Sequence, residues 1–178
     1  MILTLDEAKM IDPTVTAEDL DAYESMVRKL TNNNFQIIDI RYKGLSFSSE
    51  NQITLKKVPF GIRVGDTLQI SDSVYNDMLA TVDSIDDMTL TVVAQAPFFE
   101  GAFPRAFITK VQYPADIKYG VSGLIEYKKK MGSKLGIKSE TIARMSVTYY
   151  DINAADNIEG FPASKFSFLK KYKKMRWG

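Results

Sequence analysis

Leu79-Ala80-Thr81-Val82-Asp83-Ser84-Ile85-Asp86-Asp87-Met88-Thr89-Leu90-Thr91-Val92-Val93 alternates apolar and polar side chains on both sides of an aspartate pair. A period of two, rich in β-branched residues, marks half-buried strands, and adjacent aspartates accept turn geometry. The stretch therefore reads as two strands joined by a short turn. The same texture extends in both directions, with strands predicted over 35–42, 52–57, 66–70, 79–85, 89–93 and 106–111 and a longer polar connection from Ser71 to Asp77. Several short strands at this spacing suggest a small SH3-like or sandwich-like β-barrel.

Outside 35–112 the period changes to that of helices. Thr4-Leu5-Asp6-Glu7 has the form of a capping box, so a short helix runs to about Met10 before Pro13 ends it. Thr16-Ala17-Glu18-Asp19 opens a second helix, whose stripe is Leu20, Tyr23, Val27 and Leu30 with Met26 beside them; Thr31 and Asn32-Asn33-Asn34 stop it. After Pro114, Ile117, Val121, Leu124, Ile125 and Met131 recur at helical spacing up to Gly132. Gly120 and Gly123 weaken that pattern, so either this helix starts late or they admit another backbone at close range. Ala143, Met145, Val147 and Tyr149 then alternate with polar neighbours as a strand does. With no obvious sequential partner, that strand pairs with the β segment, runs as an extended arm, or adds to a neighbouring subunit. Pro162 stands where it would start a last helix, with Ala163, Phe166, Leu169 and Tyr172 as its apolar stripe. The domains expected are thus a helical core of 1–34 with 113–178 and an inserted β domain over 35–112.

The chain of 178 residues contains no histidine and no cysteine. That removes disulfides, thiolate zinc sites, cysteine nucleophiles and the usual general base, which argues against an enzyme and for a chain with no catalytic residues, cofactor or metal. No apolar run approaches the ~20 residues of a membrane span, and Asp6, Glu7 and Lys9 interrupt the only apolar stretch at the start, as no secretory leader would. Cytoplasmic synthesis without membrane contact is the expectation. Net charge is only +1 but unevenly placed: residues 1–34 carry seven acids against three bases, while Lys165, Lys170, Lys171, Lys173, Lys174 and Arg176 meet no acid after Lys165. A molecule polarised in this way can stack with copies of itself.

The remaining motifs favour ordinary structural readings. Asp83, Asp86 and Asp87 lack the spacing of a calcium loop, Gly132-Ser133-Lys134 lacks the upstream glycine of a phosphate loop, and Lys128-Lys129-Lys130 fits a solvated helix face. The C-terminal Lys170-Lys171-Tyr172-Lys173-Lys174-Met175-Arg176-Trp177 combines cations with the only tryptophan. It reads as a frayed tail, an anchor for a protein pocket, or a contact with nucleic-acid phosphates.

Gly136-Ile137-Lys138-Ser139-Glu140, then Ile142-Ala143-Arg144-Met145-Ser146-Val147-Thr148-Tyr149, Gly160-Phe161-Pro162 and Leu169-Lys170-Lys171-Tyr172 follow in an order that resembles the head-tail connector, or adaptor, proteins of tailed bacteriophages. The opening pair of helices matches that family's start, and the β insertion departs from its compact all-helical members. The resemblance implies a small helical bundle of connector type, which with the alternating segment makes an α+β fold with an inserted β-barrel or sandwich-like module. It further implies a structural virion protein at the virion neck, made in the bacterial host cytoplasm. Its subunits would form a dodecameric ring beneath the portal protein, bind a tail-side head completion (stopper) protein, and pass DNA through the lumen without sequence specificity. Portal binding would fall to Phe166, Leu169, Lys170, Lys171, Tyr172, Lys173, Lys174, Arg176 and Trp177; Met145, Val147 and Tyr149 are the candidates for an inter-subunit strand, one of the three pairings left open above. Deleting the tail from Lys170 onward would, on that reading, spare the fold and abolish portal binding. The rival reading is a nucleic-acid-binding module that uses the β insertion and the basic tail.

Overall fold

A computed structural model describes residues 1–132 and 157–175, and between them the backbone of residues 139–142 and 145–148. The chain divides into two compact units, Met1–Asn33 with Tyr113–Gly178, and Asn34–Gln112. The first break lies one residue before the expected 34/35, and the second falls at 112/113.

In the second unit six antiparallel strands close into a barrel: β1 (Gln36–Ser48), β2 (Gln52–Thr54), β3 (Thr67–Ser71), β4 (Leu79–Asp86), β5 (Thr89–Ala94) and β6 (Gly101–Val111), in the order β1-β2-β5-β4-β3-β6. A closed barrel, rather than a sandwich, is what the alternation builds. The core comes from inward positions such as Leu45, Ile53, Leu68, Ile70, Val82, Leu90 and Ile108, each at most 1 % exposed. Three register slips set its curvature, the first in β1 between Ile37, opposite Lys110, and Arg41, opposite Thr109. In β4 the register slips between Val82 and Ser84, so inward parity passes from Ala80 and Val82 to Ile85, opposite Leu90. Another lies where β1 passes from Lys43 to Leu45 through Gly44, φ +72°, while β6 passes from Phe107 to Phe103, so the extra residues are on β6; inward parity in β1 passes there from Tyr42 to Leu45 and Phe47. Extra residues on one strand add local twist, which bends it round a small barrel. Both β1 and β6 run beyond the predicted ends because β1 pairs with β6 along most of its length, from Gln36↔Val111 to Phe47↔Gly101.

The first unit contains α1 (Leu5–Ile11), α2 (Ala17–Thr31), α3 (Ala115–Met131) and a C-terminal 3₁₀ helix (Ala163–Tyr172). The predicted capping box is present, with Thr4 Oγ1 accepting from Glu7 N–H while the Glu7 carboxylate accepts from Thr4 N–H, and Thr16 and Asp19 at the start of α2 form a second one. Helix α3 runs unbroken from Ala115 through both glycines. A Cβ at Gly120 would lie 2.5 Å from the Phe168 ring, whereas one at Gly123 would meet nothing within 4 Å. Gly120 thus seats an aromatic ring, not a second backbone. Two small hairpins complete the strands, β7 (Ser139–Ile142) with β8 (Met145–Thr148) and β9 (Asn157–Ile158) with β10 (Phe161–Pro162).

Strand β8 has a sequential partner that the alternation did not show. Met145 pairs with Ile142 and Val147 with Glu140, both within the chain. The partner is the run Ser139-Glu140-Thr141-Ile142 immediately upstream, whose β-branched Thr141 and Ile142 the alternation test passed over. Tyr149 lies outside the described residues.

Candidate interface of the C-terminal segment

The C-terminal stripe Ala163, Phe166, Leu169, Tyr172 has a spacing of three throughout. In a helix of 3.0 residues per turn such positions eclipse, and 3₁₀ is the winding adopted. Phe166 is 5 % exposed and Leu169 2 %. Burying two such side chains is worth roughly 1.5–3 kcal/mol each. Phe166 stands edge-on to Phe161, centroids 6.0 Å apart, and Phe161 in turn meets Tyr23 and Tyr127 at 6.3 and 5.9 Å. These rings are the unit's own core, which corrects the assignment of Phe166 and Leu169 to a portal contact: the stripe packs inward and leaves other residues outside.

The segment is further tied by polar contacts. Tyr172 O–H donates to Asp116 Oδ1 at 2.6 Å, and Lys171 Nζ pairs with Asp116 Oδ2 at 2.7 Å. Lys171, then Tyr172, hold the Asp116 carboxyl below its ordinary range, and Asp116 raises both partners. Lys174 N–H donates to Thr31 C=O at 2.8 Å, while the Asn33 and Asn32 side-chain amides donate to the carbonyls of Tyr172 and Met175, both at 3.3 Å. The C-terminal end of α2 is thereby closed by the segment itself, which satisfies a carbonyl that a helix end leaves orphaned. Through Met175 the tail is docked rather than frayed. Arg176 and Trp177 lie outside the described residues.

What faces outward is cationic. Lys165, Lys170, Lys171, Lys173 and Lys174 are all exposed, and Lys165 Nζ stands 5.3 Å from the Tyr127 ring centroid. Lys128 and Lys129 of α3 are occupied locally: Lys128 pairs with Asp19 at 2.8 Å and Lys129 donates to Ile11 C=O at 2.6 Å. At the acidic end of the sequence Asp6, Glu7 and Glu18 are exposed. Glu24 is not part of that surface, being 3 % exposed and accepting the Tyr113 hydroxyl at 2.9 Å. Burial first, then the charge of Glu24, pushes the Tyr113 phenol well above its ordinary range, and burial carries the Tyr23 phenol up to about 12.

Asp83, Asp86 and Asp87 sit at the β4–β5 hairpin, with Asp87 in left-handed geometry at φ 48°. Among the described residues no group of three carboxylates converges, and no helix is long and apolar enough to cross a membrane. Asp116, the hub that both Lys171 and Tyr172 reach, was not singled out by the sequence, since a first-turn aspartate after a proline already has a reason to be there. No family model matches the chain, and no curated protein matches it either.

Proposed function

We propose that this chain is a head-tail connector subunit of a tailed bacteriophage, which forms a ring at the virion neck beneath the portal protein, extends the DNA channel and meets a stopper protein on the tail side. The observation that carries this reading is the C-terminal segment. Its apolar stripe is spent on its own unit, so it is a firm platform, and its outer side offers lysines for a partner to meet. Exposed acids on the first turns of α1 and α2 supply an unlike surface, and contacts between unlike surfaces of identical subunits are what close a ring. The resemblance in the sequence supplies the identity of the partner, and the docked platform supplies the means.

Electron microscopy and native mass spectrometry of the purified chain with its portal are expected to reveal rings on the portal. A persistent monomer that ignores the portal would overturn the reading. The platform is best tested by exposed charge, because truncation from Lys170 would also remove the bonds of Tyr172 to Asp116 and of Lys174 to Thr31. K165E/K170E/K173E should weaken portal binding by about tenfold or more, on the order of 1.4 kcal/mol, with the thermal midpoint unchanged.

A further inference from the structure

Four cations gather on one side of the barrel without an acid to neutralise them. Arg41 and Lys43 point outward from β1 on either side of inward Tyr42, and Lys56 and Lys57 follow β2. With Tyr42 they line a groove of about 350 Å³. None of the four is ion-paired among the described residues. Asp66, the acid that comes nearest in sequence after them, is taken by Lys110 at 2.6 Å. Asp39 stands two residues before Arg41 with no ion pair to it.

The fold holds these groups in place. The Arg41 guanidinium lies over the Phe107 ring, 3.6 Å from its centroid, where a cation–π contact fixes a side chain that would otherwise wander. Tyr42 O–H donates to Phe60 C=O at 2.8 Å and accepts from Phe60 N–H, which pins the loop after β2 against β1. Lys57 Nζ consequently sits 5.5 Å from the Tyr42 ring centroid. Gly44 is the seat for the fourth cation: a Cβ there would fall 2.4 Å from Lys56 Cε and 2.6 Å from Nζ, so this glycine lets the lysine lie across β1. On the same pinned loop Phe60 is 89 % exposed and Val58 61 %.

Concentrating like charges this closely costs electrostatic energy, and a rigid cationic groove beside an exposed aromatic ring is the arrangement that nucleic-acid backbones reward. Lysine and arginine neutralise successive phosphates, and a free ring offers a stacking surface to an exposed base. We propose that Arg41, Lys43, Lys56 and Lys57 form a nucleic-acid phosphate site, with Phe60 at its edge. The site is local, since the unit as a whole carries nine acids against seven bases. It stands on the barrel alone and does not rest on the connector reading. Phosphate contact implies weak selectivity for sequence, and the duplex and single-stranded forms share that chemistry.

Fluorescence anisotropy of the full chain with a labelled duplex of about 20 base pairs, and separately with one of its strands, tests the site across a salt series. Wild type should bind at least one of the two at low salt, with affinity falling linearly in log–log form. K43E/K56E/K57E should lose about tenfold or more, with a salt slope shallower by about 2–3, as expected for three lost lysine–phosphate contacts. K43R/K56R/K57R should retain binding, and F60A should weaken the single strand more than the duplex. Where the triple reversal lowers the thermal midpoint, K43E/K57E serves instead, because both side chains are exposed and neither crosses the strand. No binding by wild type overturns the proposal, as does binding unchanged by the reversal or abolished only by K170E/K173E/K174E. A reversal that alters the oligomeric state while binding persists would assign the groove to an acidic protein surface and would overturn it too. Ring assembly on a portal is a separate readout, so failure here and failure of the connector reading are distinguishable.

Discussion

Asn76 is fully buried in the polar connection between β3 and β4, and its side chain acts as a piece of backbone. Its Oδ1 accepts Phe99 N–H at 2.8 Å and its Nδ2 donates to Phe99 C=O at 3.0 Å, while its own N–H reaches Ser73 Oγ at 2.9 Å. Removing the amide would delete both hydrogen bonds that this fully buried side chain makes to Phe99, each worth about 0.5–1.5 kcal/mol net. Asn76→Ala is therefore expected to lower unfolding free energy by about 2 kcal/mol in a urea titration, while an exposed neighbour such as Tyr75→Ala changes it little. The capping carboxylates act at the same scale and depend on pH. Lys128, then Thr16 N–H, hold Asp19 below 3.8, and Thr4 N–H holds Glu7 below 4.5. Depressed carboxyls contribute stability that is complete above their unfolded values and is lost as pH falls through the folded ones. The thermal midpoint should thus be level from pH 7 to about 5 and decline below about 4, and Asp19→Asn should flatten that acid limb, while Thr16→Ala costs about 1 kcal/mol at pH 7.

Helix α3 shows at the scale of elements why two identical residues need opposite treatment. Gly123 is helical with open space where a Cβ would stand, so Gly123→Ala should raise stability by about 1 kcal/mol, the helix-propensity difference. Gly120 carries the Phe168 ring, and alanine there must displace it; Gly120→Ala is expected to forfeit that gain and to destabilise by about 1–3 kcal/mol. Urea titration of both variants checks the pair, and equal effects would mean that the ring does not need its seat. The sequence announced both glycines as interruptions, but only the arrival of Phe168 from nearly fifty residues away distinguishes them. The same limit applies elsewhere. Capping boxes, the α2 stripe and the six barrel strands were legible because each is written in neighbouring residues. The register slips at Gly44 and Asp83 were not, since a parity change looks like a lapse in alternation until the partner strand shows the slip. The cations of the groove were hidden for the same reason: Arg41 and Lys43 share a face by local parity, but it takes the β1–β2 pairing and the Tyr42–Phe60 pin to bring Lys56 and Lys57 to them. In the C-terminal segment, a strict spacing of three did carry a readable signal, that of 3₁₀ winding with Phe166 and Leu169 inward.

At the scale of the whole molecule, the insertion of one unit into the other has a consequence that can be measured. The ends of the barrel unit meet: Gln36 pairs with Val111, and Gln112 N–H donates to Phe35 C=O at 3.0 Å. A chain whose two ends are neighbours can be cut out without opening its sheet, and this one closes on itself with no free edge to protect. Its core is drawn from its own strands, and about 80 residues exceed the size at which single domains fold unaided. Residues 34–112 expressed alone are therefore expected to fold cooperatively, with a strand-type circular dichroism spectrum and a single urea transition. Refolding should be slow for so small a domain, in the millisecond to second range, because the closing pair β1–β6 joins the two ends of the unit and its loop entropy must be met before the contact forms. An unfolded fragment would mean that the barrel draws on the rest of the chain for stability. A folded fragment that has lost the fall of binding with salt seen in the full chain would place the phosphate contacts outside the barrel.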